Sequence, residues 1–189
     1  NTMQYMRCEN PRLIAQKYWM FALAIVISIF ITSFFILSYP TSLLTVCIGI
    51  AMVAFSLTQM TGAKFSVGDG FGWHIGVGLL SGILGGLSSI WSPPVAMYLL
   101  ARGVKKSEFI GAVGFMFLAG SLPLAAGLSL AGVLSIDTML QSLMGLIAVL
   151  AGFRVGEALR NTVPQGIFRK IILWAFLIMG IRLIAIGFF

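Results

Sequence analysis

The stretch SGILGGLSSIWSPP, residues 81–94, lies inside an apolar segment yet gathers residues that oppose a continuous helix. Gly85, Gly86, Ser88, Ser89, Ser92, Pro93 and Pro94 all fall between positions 85 and 94. In a helix interior, glycine costs about 1 kcal/mol and proline about 3 relative to alanine, because proline lacks an N–H and its ring collides with the turn before it. The surrounding apolar segment, residues 72–101, would measure about 45 Å as one helix, against a hydrocarbon layer of roughly 30 Å. Two half-helices joined by a break are expected there.

Outward from this stretch, the chain reads as a membrane protein. It is 59% apolar and only 9% charged, with a mean hydropathy of +1.05, which excludes a water-soluble domain. Further apolar segments cover residues 18–37, 42–60, 109–134, 138–153 (extendable to 135–154) and 171 to the end. The expected fold class is therefore all-α, a polytopic membrane helical bundle with a broken segment, and the lipid bilayer is its first partner. The net charge of +7 does not point to nucleic acid, because the Lys and Arg residues fall between the apolar segments and act as topology signals.

Those charges bear on the path of the break. If segment 72–101 crosses the bilayer once, Arg7, Arg12, Lys17 and Lys64 are left opposite the other seven loop cations. If it re-enters and leaves on the side it came from, Arg7, Arg12, Lys17, Lys64, Arg102, Lys105, Lys106, Arg154, Arg160, Arg169 and Lys170 all share one side, and the loops near Tyr39 and Asp137 carry none. The positive-inside rule favours the re-entrant path. It divides the chain into residues 1–61, the two-helix tail of a first repeat; 62–71, a cytoplasmic linker; and 72–189, a second repeat of the broken segment and three transmembrane helices. One re-entrant segment plus three crossings makes a unit whose second copy would be inverted, an arrangement of secondary transporters. The echo between Ser38-Tyr39-Pro40 and Thr162-Val163-Pro164 fits such a repeat, and fits equally the general preference for proline at helix starts.

At the break, Gly85 and Gly86 are expected to end the first half-helix and Ser92 to cap the second, with Pro93 in its first turn. Because Pro93 and Pro94 have no N–H, the donors left would be the backbone of Val95 and Ala96, joined by the hydroxyls of Ser88, Ser89 and Ser92. A helix N-terminus with unsatisfied donors suits a small oxyanion without a formal positive charge. Gly111, Gly114, Gly120, Gly127, Gly132, Gly152 and Gly156 read instead as helix-packing positions. Arg182, the cation inside a span, is either a substrate-binding charge, since burial costs roughly 3 kcal/mol or more, or a side chain that snorkels to the outer surface. His74 reads as an interfacial residue beside Trp73, with proton coupling as its other reading. Glu157 reads as a helix-end ion pair with Arg154 and Arg160.

No catalytic residue, metal site or cofactor is expected. Cys8 and Cys47 form no CxxC pair, and the acids Glu9, Asp69, Glu108, Asp137 and Glu157 are scattered.

The stretch GVGLLSGILGGLSSIWSPPVAMYLLARGVKKSEF, with the later GFRVGEALRNTVPQGIFRKIILWAFLIMGIRLI, resembles the TauE/SafE family, the sulfite-exporter-like permeases also called the 4-toluenesulfonate uptake group. The likeness runs over residues 17–189 and departs from the family pattern at Ser92, where glycine usually precedes the paired prolines. It implies a multi-pass permease of the cell (inner) membrane that exports or imports small sulfur-containing or organic anions. It also implies a matching Gly-rich, Pro-terminated segment near the N-terminus. The chain thus resembles a member lacking its N-terminal part, and a non-transporting subunit, or a permease half completed by a partner chain or a second copy, is the alternative expectation.

Overall fold

The computed structural model describes residues 11–36, 38, 41–62, 67–68, 70–132, 142–143, 145–146, 149–154, 156 and 162–188. Within them run six helices: α1 (Pro11–Ser33), α2 (Thr41–Met60), α3 (Phe71–Ser88), α4 (Ser92–Ala101), α5 (Lys106–Leu130) and α6 (Gln165–Phe188). The described residues among 142–156 are helical as well, and no strand occurs among the described residues. Five of the helices, all but α4, are long and apolar enough to cross a membrane. Helix α1 begins earlier than the apolar run at 18, because Arg12, Gln16 and Lys17 continue the helix past the point where hydropathy falls. Residues 138–141, 144, 147 and 148 of the fifth expected segment lie outside the described residues.

Helix α1 is the centre of the bundle. Tyr18, Phe21, Ile25, Ser28 and Ile29 recur at the three- and four-residue spacing of one helical stripe and are buried. Helices α3 and α5 pack on α1 from different sides, whereas α2 pairs with α6. Small residues permit both contacts. A Cβ on Gly78 of α3 would come within 2.8 Å of Ala24 Cβ, and one on Gly86 would overlap the Thr32 hydroxyl of α1. Thr32 also donates to the Gly82 carbonyl at 3.3 Å. In the other pair, a Cβ on Gly49 would lie 2.7 Å from the Gly180 carbonyl and one on Gly180 would lie 2.8 Å from that of Gly49. The backbones of α2 and α6 therefore touch.

The broken segment is a hairpin, and its arms are unequal. Helix α3 does not stop at the glycine pair. It continues to Ser88, and Ser89 takes the left-handed conformation (φ 59°, ψ 10°) and donates its N–H to the Gly85 carbonyl at 2.8 Å. Gly85 and Gly86 stay helical because their missing side chains are needed for packing. A Cβ at Gly85 would lie 2.6 Å from Trp91 Cβ, and one at Gly86 would meet α1. At 1.5 Å per residue α3 is about 27 Å long and α4 about 15 Å, so only α4 is a half-helix. The chain then returns: the Tyr98 hydroxyl donates to the Gly68 carbonyl at 3.2 Å, and the Tyr98 ring lies 5.8 Å from that of His74. A single straight crossing would hold Gly68 and Tyr98 about 45 Å apart. The re-entrant path is the one the fold takes.

The ends of the helices agree with it. Lys17 of α1 meets Glu108 of α5, Gln59 of α2 meets Arg169 of α6, and Lys106 of α5 meets Gln165 of α6. The start of α1, the end of α2, the start of α3, the end of α4 and the starts of α5 and α6 thus share one end of the bundle, the end that carries Arg12, Lys17, Arg102, Lys105, Lys106, Arg169 and Lys170.

Candidate functional site

The turn of the hairpin is built by Ser88, Ser89 and Trp91, each with a different part. The Ser88 hydroxyl donates to the Leu84 carbonyl at 2.6 Å and accepts the N–H of Ile90 at 3.3 Å, so it is committed to shaping the turn. Ser89 reverses the chain in the left-handed region and is exposed. Trp91, rather than Ser92, is the N-cap of α4 (φ −122°, ψ −9°), with no side-chain cap. Its indole stacks on Phe117 with ring centroids 4.3 Å apart, and it fills the space left by Gly85 of α3 and Gly120 of α5, where a Cβ would lie 2.6 and 2.8 Å from it. Phe117 and Gly120 stand near the middle of α5. Helix α4 consequently begins at mid-depth in the bundle, while the tip of α3 reaches deeper, beside Thr32 and Ser33 at the far end of α1.

With Trp91 as N-cap, the expected donor set moves by one residue. Pro93 and Pro94 occupy the second and third helical positions and supply no N–H. Val95 and Ala96 come fourth and fifth, where N–H groups bond to carbonyls a turn back, and both residues are buried. The donors remaining at the start of α4 are the N–H groups of Trp91 and Ser92. Ser92 is half-buried, and neither its hydroxyl nor that of Ser89 is engaged among the described residues. Ser81 adds a third hydroxyl: it is fully buried and its Oγ has no hydrogen-bond partner among the described residues. Four residues before Gly85, it lies on the face of α3 that Gly85 turns toward Trp91. A buried hydroxyl without a partner costs about 1–3 kcal/mol.

The structure thus sorts the expected site residues. Ser89 and Ser92 stand at the opening of the turn, Pro93, Pro94, Val95 and Ala96 form the first buried turn of α4, and Gly85, Gly86 and Ser88 hold the turn in shape. Arg182 is not with them; it lies on an exposed side of α6, the helix paired with α2. Among the glycines read as packing positions, Gly120 and Gly127 do meet neighbours, at Trp91 and Ser33. Gly132 (φ 73°) closes α5 instead, and Gly152 and Gly156 meet no neighbour among the described residues. Glu157 and its expected partner Arg160 lie outside the described residues.

Two groups stand in places that hydropathy does not reveal. His74 is buried, 7% exposed, with its ring enclosed by Tyr18, Phe21 and Tyr98 at centroid distances of 5.6, 5.9 and 5.8 Å. Trp73 beside it is exposed. Glu108 accepts hydrogen bonds from Lys17 Nζ at 2.7 Å and from the Tyr18 hydroxyl at 2.8 Å, and that hydroxyl accepts one from Arg102 at 3.3 Å. These contacts tie α1, the exit of α4 and the start of α5 together at the base of the hairpin. The available signal was an acid placed among cations on the side to which the charge count assigns Lys17, Arg102 and Lys106.

Apolar helices of spanning length around a re-entrant pair, whose short arm starts at mid-depth, define a multi-pass helical membrane protein with broken-helix architecture of the kind secondary transporters use. The particular family is the one the motifs suggested. The sulfite exporter TauE/SafE family model matches residues 4–183, nearly the whole chain, and the chain belongs to that family, one of transporters rather than enzymes. No curated protein and no solved structure matches the chain.

Proposed function

We propose that the chain is a secondary permease carrying small sulfur-containing or related organic anions, of the sulfite or sulfonate type, across the cell (inner) membrane, with the hairpin turn as the anion cradle. The observation that carries this reading is the start of α4 at mid-depth, where the N–H groups of Trp91 and Ser92 and the hydroxyls of Ser89 and Ser92 are available to an oxyanion. A helix N-terminus presents about half a positive charge. Ser81, buried without a hydrogen-bond partner among the described residues on the facing side of α3, supports a polar ligand in the same region. A cradle without a formal charge binds an anion without trapping it, as turnover requires. The serine at position 92 adds a hydroxyl where the family pattern carries glycine, which favours a ligand rich in acceptor oxygens. No catalytic residue, metal or cofactor enters this reading.

The test is anion flux in proteoliposomes against sulfite, thiosulfate, sulfonates and carboxylates, with Ser92→Ala beside the unaltered chain. Sulfur oxyanions should move down their gradients, and Ser92→Ala should slow them at least several-fold without lowering thermal stability. A folded chain that dissipates no anion gradient would overturn the reading. A second reading, a permease half or subunit completed by a partner chain or a second copy, is favoured by one observation: nearly all described residues of 142–156 are exposed. Flux that appears only at protein densities permitting oligomers would select it.

A further inference from the structure

We propose that a cleft between the end of α2 and the first turns of α6 binds the phosphate headgroup of an anionic phospholipid. The cleft has a volume of about 380 Å³ and is lined by Gln59, Met60, Gly166, Arg169, Lys170 and Trp174, among others. It lies at the bundle end that carries Lys17, Arg102, Lys105 and Lys106 as well, the end that the positive-inside rule assigns to the cytoplasm.

Three features specify an anion. Arg169 donates to the Oε1 of the buried Gln59 at 2.5 Å, a contact that anchors the guanidinium against α2 without neutralising it. Neither Arg169 nor Lys170 faces a carboxylate among the described residues, where the one acid, Glu108, is already held by Lys17. Both cations also sit early in α6, at the helix end where positive charge is disfavoured and a bound anion would be favoured. The first helical bond of α6 runs from Phe168 N–H to the Pro164 carbonyl at 2.9 Å. The Gly166 N–H therefore precedes the hydrogen-bonded ladder and is a further donor in the cleft wall.

One further feature specifies a lipid rather than a soluble anion. Trp174 (53% exposed) and Met60 (42% exposed) continue the same wall as apolar surface, so a phosphate beside Arg169 and Lys170 has a hydrocarbon-compatible flank for its acyl chains. Tryptophan at the rim of a span is the side chain enriched at headgroup level, and basic clefts between transmembrane helices on the cytoplasmic side hold acidic headgroups.

The experiment compares the purified full chain in mixed micelles containing phosphatidylglycerol or phosphatidylcholine, reading lipid retention by native mass spectrometry and thermal unfolding in parallel. Phosphatidylglycerol should be retained preferentially and should raise the unfolding temperature. Retention should fall about fivefold for each charge removed in Lys170→Gln and Arg169→Gln, while Lys105→Gln, at an exposed cation outside the cleft, should leave it unchanged. Lys170→Gln keeps the Arg169–Gln59 contact, so it reports on binding even if Arg169→Gln disturbs the helix pair. Equal retention of the two lipids, or undiminished phosphatidylglycerol binding by Lys170→Gln, would overturn the proposal. So would inorganic phosphate reproducing the full stabilisation, since the site would then be one for soluble anions.

Discussion

Single residues divide the hairpin into parts that hold it and parts that are open to a ligand. Trp91 belongs to the first group: it is 5% exposed and occupies space that Gly85 and Gly120 leave for it. Trp91→Ala should lower stability by about 3–5 kcal/mol, the usual cost of emptying an aromatic core position, measured as a lowered unfolding temperature in detergent. Gly86→Ala should destabilise as well, because the added methyl would overlap the Thr32 hydroxyl and crowd the Ile29 carbonyl, 2.8 Å away. Gly76→Ala, on the same helix but facing open space, should be neutral or slightly stabilising under the same measurement. Ser92→Ala is the contrasting case, expected to change flux and not stability, because its hydroxyl holds nothing among the described residues.

The elements show how far the sequence could be read and where it stopped. Length, hydropathy and helix breakers located the interrupted segment, and loop charges chose its re-entrant path. These signals work because bilayer thickness and lysine placement act on whole segments. The position of the break was less legible. Glycine propensity pointed to Gly85 and Gly86, but tertiary packing on α1 and Trp91 overrides propensity there, and the reversal falls to Ser89, a residue with a side chain. That displacement also carried the N-cap from Ser92 to Trp91 and altered which N–H groups remain open. His74 and Glu108 were missed as interior or bridging groups because their surroundings come from α1 and α4, far away in sequence. The bridge itself is modest. Lys17 and Glu108 keep 34% and 27% of their side-chain surface exposed, so a double-mutant cycle on Lys17→Met and Glu108→Gln should give a coupling of no more than about 1 kcal/mol. A much larger coupling would mean that the base of the hairpin is drier than its exposure implies. The α2–α6 pair offers a sharper test at this scale: Gly180→Leu should part the two backbones and strongly lower stability, whereas Ile178→Leu, on the exposed side of α6, should leave it unchanged.

At the scale of the whole molecule, the fold is a central helix carrying a re-entrant pair, with a second, glycine-mated helix pair beside it and the cations at the starts of α1, α5 and α6 collected at one end. The proposed anion cradle sits at the turn of this hairpin, which places the start of α4 at mid-depth in the bundle. The topology is most directly tested by single-cysteine labelling in a background lacking Cys8 and Cys47, with an impermeant thiol reagent applied to sealed vesicles of known orientation. Thr61→Cys precedes the hairpin, Lys105→Cys follows it, and Ser38→Cys marks the opposite face; all three positions are exposed. Thr61→Cys and Lys105→Cys should react from the same side, with Ser38→Cys reacting from the other. Reaction of Thr61→Cys and Lys105→Cys from opposite sides would contradict the re-entrant hairpin and, with it, the proposed site.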